Sequence, residues 1–177
     1  FFSQRLGKYA QGKAQAQRSY HILSVTDNFE ATIRCLNILG EITRIEGNYD
    51  ESLKVLAEAV ELGKSNNVPL LLGRALNTLG IVCGTRGDYE LAKQYFAESL
   101  KIGESVDDQL GIAKTLNNLG ILARDAGEFE KAIRLYQEAL RIDTEIGDKR
   151  AMSYPLKNLG VVALDLEQYD EAQAYYA

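Results

Sequence analysis

The sequence predicts an all-α solenoid, a superhelix of stacked antiparallel helix pairs, and three observations support this fold class. The first is Leu36-x-x-Leu39-Gly40, a motif that recurs at a constant step of 40 residues. The second is an aromatic series with the same step. The third is a spacing of three and four residues between apolar positions, which places them on one face of a helix. Further copies of the motif end at Gly80, Gly120 and Gly160, and the aromatic series is Tyr49, Tyr89, Phe129 and Tyr169.

The constant step divides the chain into the units of a single array. We expect a partial unit over residues 1–27, three full units over 28–67, 68–107 and 108–147, and an incomplete unit over 148–177. Because the sequence lacks an initiator Met and stops in mid-repeat, we expect it to be a piece of a longer protein. In the partial unit, the register predicts the end of one helix at residues 1–6, a turn at Gly7 and a second helix over 8–25.

The first helix of each full unit, helix A, begins after a polar break. Asn and Asp side chains in these breaks can accept hydrogen bonds from the free N–H groups of a helix start. The expected A helices cover residues 29–46, 69–86, 109–126 and 149–166. A glycine inside a helix costs about 1 kcal/mol relative to alanine. Its recurrence in four A helices predicts that another helix passes too close to leave room for a Cβ.

The second helix of each unit, helix B, follows a short turn. Gly47 provides a residue that tolerates positive φ, and Asn48 with Glu51 resembles a capping box. Helix B is amphipathic, with Glu and Lys on the side away from its apolar stripe. We expect the aromatic series that starts at Tyr49 to be buried in the wedge between the two helices of each unit.

Pro155 conflicts with this repeat pattern. It falls in the second turn of the last expected A helix, where a proline removes a backbone hydrogen bond at a cost of about 3 kcal/mol. We expect this helix either to start late, with Ser153 as its cap, or to be kinked. The late start is the preferred interpretation.

Composition excludes several functional classes. The chain has 46% hydrophobic residues, 25% charged residues and a net charge of −5, which argues against direct nucleic-acid binding. No apolar run reaches the roughly 18 residues that a membrane span needs. The two cysteines, Cys35 and Cys83, occupy different repeat positions on helices that we expect to be packed. A reduced, cytoplasmic protein without a membrane anchor is therefore the expectation.

The sequence contains no convincing catalytic or cofactor-binding motif. Residues 7–13 match the phosphate-binding pattern G-x-x-x-x-G-K, but Ala14 replaces the Ser or Thr that binds Mg²⁺, and no apolar strand precedes the match. His21 is the only histidine, so no second one can complete a catalytic pair, and we expect it at the surface. We expect neither an enzyme, nor a metal site, nor a cofactor.

The motifs Leu-x-x-Leu-Gly and Gly-x-Tyr/Phe together resemble the tetratricopeptide repeat over essentially the whole chain. The unit is longer than the family's usual length of about 34 residues. In this it is similar to the repeats of kinesin light chains, of Pins-type adaptors, and of the sensor arms of bacterial signal-transduction ATPases and transcription activators. HEAT and armadillo repeats share the period without sharing these motifs.

The resemblance implies a right-handed superhelix whose A helices line a concave groove, and it implies that partners bind there. The A-helix face outside the core stripe carries three kinds of residue: cations, asparagines that offer both a donor and an acceptor, and a strip of apolar side chains. The candidate partner-binding residues are Arg34, Asn37, Arg74, Asn77, Ile81, Lys114, Asn117, Asn118, Ile121, Arg124, Asn158 and Val161.

These residues predict a protein-interaction module that binds an extended or helical segment with acidic and apolar residues. Two alternatives stay open. The polar residues could simply be solvated, with Ile81 and Ile121 packed against the next A helix. The chain could instead be a ligand-sensing or autoinhibitory arm of a larger bacterial regulator. We also expect end-to-end self-association, because the two ends of the array leave apolar helix faces uncovered.

Overall fold

The computed structural model describes residues 2–177, with side-chain positions from Tyr9 onwards. Over this range the chain is all-α, with helices joined by short turns and no strand. The helices are α1 (Phe2–Leu23), α2 (Phe29–Ile45), α3 (Tyr49–Ser65), α4 (Pro69–Arg86), α5 (Tyr89–Ser105), α6 (Gln109–Asp125), α7 (Phe129–Ile146), α8 (Lys149–Asp165) and α9 (Tyr169–Tyr176).

The A helices are α2, α4, α6 and α8, and each lies within one residue of its expected bounds. The predicted caps are present. Asn28 Oδ1 accepts from Ala31 N at 3.1 Å, and Pro69 occupies the first position of α4, where a missing N–H has no consequence. Polar breaks and prolines therefore set these helix starts.

The N-terminal helix differs from the prediction. α1 runs unbroken from Phe2 to Leu23, so the backbone makes no turn at Gly7. The other units have Asn, Asp, Glu or Gln just before helix B, whereas the equivalent residue here is Lys8, whose side chain has no acceptor for a capping hydrogen bond. Side-chain capping is not the whole cause, because α7 and α9 begin after Glu128 and Gln168 without a capping hydrogen bond.

Pro155 lies inside a continuous helix, so the predicted late start is wrong. α8 begins at Lys149, and Asp148 Oδ1 accepts from the backbone N–H groups of Arg150 and Ala151, each at 3.0 Å. The proline ring is almost completely buried. Capping at Asp148 and burial of the ring therefore offset the hydrogen bond that Pro155 cannot donate.

The recurring glycines lie beneath side chains of the B helices, as the close-approach argument predicts. A Cβ built on Gly80 would lie 2.5 Å from Phe96 Cε1, and one on Gly120 would lie 2.5 Å from Tyr136 Cε1. Leu56 occupies the same place against Gly40. The missing Cβ thus allows a large side chain of helix B to pack directly on the backbone of helix A.

The aromatic series that begins each B helix is less buried than we expected. Tyr89 is 48% exposed and Tyr169 is 67% exposed, while Tyr49 and Phe129 are half-buried. These residues are the first of their helices, and a helical side chain points back toward the N-terminus. They therefore lie over the turn, and the wedge between the helices is filled two turns later, by the residues that cover the glycines.

The turns between helices A and B use left-handed backbone conformations. Gly47, Gly87 and Gly127 have φ values of 79°, 89° and 75°. Glu167 stands at the same position in the last unit and has a φ of 60°. The conformation is therefore kept even where the glycine is absent, at the strain cost that a side chain brings.

The chain divides into two compact units, one ending at Glu98 and the other beginning at Ser99. In the first unit, α2 packs against α1, α3 and α4, and α3 packs against α4. In the second unit, α7 packs against α6 and α8, and α8 also contacts α9 and α6. A core cluster of the second unit joins Ala123, Tyr136 and Leu159, which come from α6, α7 and α8.

Candidate partner-binding face

The A-helix face of the first unit carries two exposed cations in different states. Arg34 Nη2 forms an ion pair with Glu30 Oε1 at 2.8 Å, one turn earlier on the same helix. Arg74 is exposed and has no ion-pair partner among the residues that the structure describes. The charge of Arg34 is therefore partly balanced, whereas Arg74 on the same face is available to an incoming anion.

The second unit carries the next residue of the predicted cationic row, Lys114, on α6. Its side chain is exposed and makes no ion pair within the described part of the chain. Its charge acts on the buried carboxyl of Asp143, whose pKa it lowers against the larger opposing effect of burial. Tyr154 stands at the same repeat position on α8 and is 55% exposed.

The asparagine of α2 joins neighbouring A helices. Asn37 Nδ2 donates to the backbone oxygen of Leu71 on α4 at 2.9 Å. Its Oδ1 is buried and has no hydrogen-bond partner among the described residues. Asn37 therefore holds α2 against α4, and one of its two amide hydrogens is used in this bond. Asn77, the next residue of the row, is half-buried.

Asparagines of the second unit also join two A helices, but they leave polar groups accessible. Asn158 Nδ2 on α8 donates to Asn117 Oδ1 on α6 at 2.8 Å. This bond uses the acceptor of Asn117 and one donor of Asn158. The amide donors of Asn117 and the carbonyl oxygen of Asn158 are left over, and a peptide group needs one of each. Asn118 is half-buried beside them.

The predicted apolar strip is only partly accessible. Ile81, Ile121 and Val161 are all half-buried. Ile121 packs against the core cluster that contains Ala123 and Tyr136. Ile121 is therefore apolar at least partly because it packs inside the array. This agrees with the alternative, stated above, in which these side chains do not serve a partner.

Arg124 belongs to a small charged group at the end of α6. Its Nη2 lies 2.9 Å from Asp125 Oδ1, and its Nε lies 3.7 Å from Asp165 Oδ2 on α8. In the first unit, Arg44 binds Glu41 on the same helix through two hydrogen bonds of 3.0 and 2.6 Å. The cation of both pairs is balanced by carboxylates, so neither arginine presents an uncompensated charge.

Sequence reasoning missed two buried polar groups of α7. The Tyr136 hydroxyl is fully buried and has no hydrogen-bond partner in the described structure, and burial raises its pKa well above the usual range. Asp143 is 4% exposed, and its Oδ1 likewise has no partner. Comparison of repeat positions could have found both, because the equivalent residues are Phe96 and Gly103.

The sequence match to a phosphate-binding loop lies on a helix. Residues 7–13 belong to α1, and Lys13 Nζ contacts Glu46 Oε2 at 2.7 Å and Glu51 Oε2 at 3.3 Å. These contacts attach α1 to the first full repeat, residues 28–67. Positions 7 and 8 lie outside the part of the chain whose side chains the structure describes. His21 is exposed, as predicted.

The described residues contain neither a metal-binding cluster nor a membrane-spanning helix. No group of three or more His, Cys, Asp or Glu side chains is placed to hold a metal ion. None of the helices is both long enough and apolar enough to cross a membrane. Cys35 and Cys83 are both free, the first half-buried and the second buried.

Comparison with known proteins identifies the family. A family model described as tetratricopeptide repeat matches residues 30–105, 71–145 and 111–177. These overlapping matches cover most of the chain. It belongs to the tetratricopeptide repeat family. No curated protein sequence matches it.

Solved structures agree on the tetratricopeptide fold. BtubC (BKLC) from P. vanneervenii has a TM-score of 0.78 and 18% identity, over 97% of this chain and 72% of that one. Aspartyl phosphate phosphatase F from Bacillus subtilis has a TM-score of 0.75 and 13% identity, over 97% of this chain and 54% of that one. MamA has a TM-score of 0.61 and 17% identity, over 98% of this chain and 87% of that one.

Proposed function

We propose that this tetratricopeptide array is a protein-interaction module whose A-helix face binds an extended segment of a partner that carries acidic and apolar residues. The observation that supports it best is the pair of exposed cations, Arg74 in the first unit and Lys114 in the second, in a chain with a net charge of −5. Neither cation has an ion-pair partner among the described residues.

Unbalanced cations on an acidic protein favour an acidic partner. An aspartate or glutamate that approaches Arg74 gains a charge-assisted hydrogen bond without first breaking an internal ion pair. Arg34, Arg44 and Arg124 would each have to exchange an existing carboxylate. Acidic residues of a partner should therefore bind at Arg74 in the first unit, or at Lys114 in the second, in preference to Arg34, Arg44 and Arg124.

The asparagine pair of the second unit supports binding of main chain. Asn117 keeps amide donors and Asn158 keeps a carbonyl acceptor after their mutual bond is made. An extended peptide presents one carbonyl and one N–H per residue whatever its side chains, so it can satisfy both. Half-buried Val161 lies one turn from Asn158 and offers an apolar contact beside them.

The test begins with selection of binding peptides from a random display library on the immobilised protein. Selected peptides should be enriched in Asp and Glu. The variant Arg74→Glu with Lys114→Glu should then bind the best peptide at least about tenfold more weakly, a change of about 1.4 kcal/mol in binding free energy. Fluorescence anisotropy with the labelled peptide measures the dissociation constant.

The matched control reverses two exposed charges on B helices, with Lys54→Glu and Lys101→Glu. It changes the net charge by the same amount, so a non-specific electrostatic effect would weaken both variants equally. Equal affinities of the two variants would show that the A-helix cations do not hold the peptide. Selected peptides with no excess of acidic residues would also contradict the proposal.

A further inference from the structure

Asp143 is a buried carboxyl that the partner-binding face does not use. It lies on α7, is 4% exposed, and its Oδ1 has no hydrogen-bond partner among the described residues. A buried carboxylate is costly unless hydrogen bonds or a counter-charge replace its lost hydration, and here Oδ1 has no hydrogen bond within the described structure. The protonated form loses much less, so this position favours a bound proton.

Glycine stands at the position of Asp143 in the two preceding repeats. A Cβ built on Gly63 would lie 3.0 Å from Leu72 Cβ, and one on Gly103 would lie 3.0 Å from Ile112 Cγ1. At both places helix B packs against the start of the following A helix with no side chain between them. By the same register, Asp143 lies where α7 meets the start of α8, and a carboxyl occupies the place that glycine takes in the two preceding repeats.

Two charged groups act on Asp143 from the elements around it. Burial is the main reason why the pKa of this carboxyl is raised, and the charge of Asp148, in the turn before α8, raises it further. Lys114 on α6 lowers it, and this effect is smaller than that of burial. Asp148 also caps α8 by accepting from the N–H groups of Arg150 and Ala151, so it is fixed in place.

We propose that the joint between α7 and α8 is a proton-dependent hinge, which packs closely when Asp143 is protonated and loosens when its carboxylate forms. The other B-to-A joints with glycine at this position have no group that could respond in this way. The hinge does not depend on the proposed partner-binding function, because it concerns packing inside the second unit.

The direction of the pH effect follows from the raised pKa. In the unfolded chain Asp143 titrates near its ordinary pKa of about 4. In the folded chain the pKa is higher, so between the two values the folded state binds the proton more tightly. The stabilisation that the protonated carboxyl of Asp143 gives is complete at pH values below the pKa of the unfolded chain. It is lost as pH rises through the pKa of the folded chain. The hinge is therefore looser at neutral pH than in mild acid.

Hydrogen exchange measured by mass spectrometry on the whole chain tests this proposal. Protection factors at pH 7.5 and pH 5.0, each relative to the unfolded chain at the same pH, remove the intrinsic pH dependence of exchange. In the wild type, peptides from the start of α8 should be more protected at pH 5.0. Asp143→Asn removes the ionisable group, so their protection at pH 7.5 should rise toward the value that the wild type shows at pH 5.0.

The control variant is Asp170→Asn, which neutralises an exposed carboxylate on α9 and should leave the pH dependence of α8 unchanged. Asp143→Gly restores the residue of the other joints and should also abolish the pH dependence. It gives an independent result if the asparagine variant folds poorly. A wild-type α8 with equal protection at both pH values, or an Asp143→Gly variant that keeps the wild-type difference, would overturn the proposal.

Discussion

Tyr136 packs its ring directly on the backbone of α6 at Gly120. A Cβ at position 120 would lie 2.5 Å from Cε1 and 2.8 Å from Cδ1 of that ring. The tyrosine itself is fully buried. The same relationship joins Gly80 to Phe96, which makes this contact the repeating element of the hairpin core.

Replacing that glycine should destabilise the protein. Gly120→Ala adds a methyl group that overpacks the core, at a cost of about 1–3 kcal/mol. Alanine regains about 1 kcal/mol of helix propensity. We expect a net loss of up to about 2 kcal/mol in the free energy of unfolding, measured by urea denaturation.

The control for this substitution is Gly12→Ala in α1. Its Cβ would lie 3.5 Å from Ile42 Cδ1, which is an ordinary contact distance. Helix propensity is then the main effect of the substitution. The free energy of unfolding of the Gly12→Ala variant should therefore rise by up to about 1 kcal/mol. A Gly120→Ala variant as stable as Gly12→Ala would show that the ring does not need the missing Cβ.

The hydroxyl of Tyr136 should reduce stability, because it is buried without a partner. An unsatisfied buried polar group costs about 1–3 kcal/mol, and Phe96 shows that a phenyl ring fits the equivalent place. Tyr136→Phe should therefore raise the free energy of unfolding by about 1 kcal/mol at pH 7. Chemical denaturation of both proteins gives the difference.

The advantage of the Tyr136→Phe variant should grow in alkali. Burial raises the pKa of the folded Tyr136 above that of the unfolded residue, which is about 10. Stability from this group is then lost as pH rises above 10, because only the unfolded chain ionises readily. Phenylalanine has no such loss. A phenylalanine variant that is less stable than wild type would mean that the hydroxyl has a partner in solution.

Glu167 should be replaceable by glycine with a gain in stability. Its φ of 60° places it in the left-handed region, which costs a residue with a side chain about 1–2 kcal/mol. Glu167→Gly should stabilise the second unit by about 1 kcal/mol in thermal and urea unfolding. The greater freedom of glycine in the unfolded chain offsets part of the relief.

The reverse change at Gly127 is the matched test. This residue has a φ of 75°, and nothing lies within 4 Å of the Cβ that alanine would add. Gly127→Ala therefore introduces backbone strain without a steric clash, and it should lose about 1 kcal/mol. If both substitutions left stability unchanged, strain in this turn would be negligible.

Most of the fold could be predicted from the sequence because the step of 40 residues is constant. A fixed step repeats caps, turn glycines and core positions, so the A-helix bounds follow to within one residue. The exceptions have local causes. Pro155 stays inside α8 because Asp148 caps the helix and the ring is buried. The cap could be read from the sequence, but the burial of the ring depends on tertiary packing.

The candidate site was harder to predict because side-chain partners are not periodic. Arg34 and Arg74 share a repeat position, yet only Arg34 has a glutamate one turn earlier. Asn37 binds a backbone oxygen, whereas Asn117 binds another asparagine. Repeat position shows which face a residue occupies, and its neighbours decide whether its polar atoms are free for a partner.

Binding of partners on the A helices is tested most directly by photo-crosslinking to a selected peptide. A photoreactive phenylalanine analogue is introduced singly at two A-helix positions, Thr85 and Lys157, and at two exposed B-helix positions, Gln94 and Gln137. Crosslinks to the peptide should form from the A-helix positions, and none above background should form from the B-helix positions. Crosslinks that form mainly from Gln94 and Gln137 would contradict it.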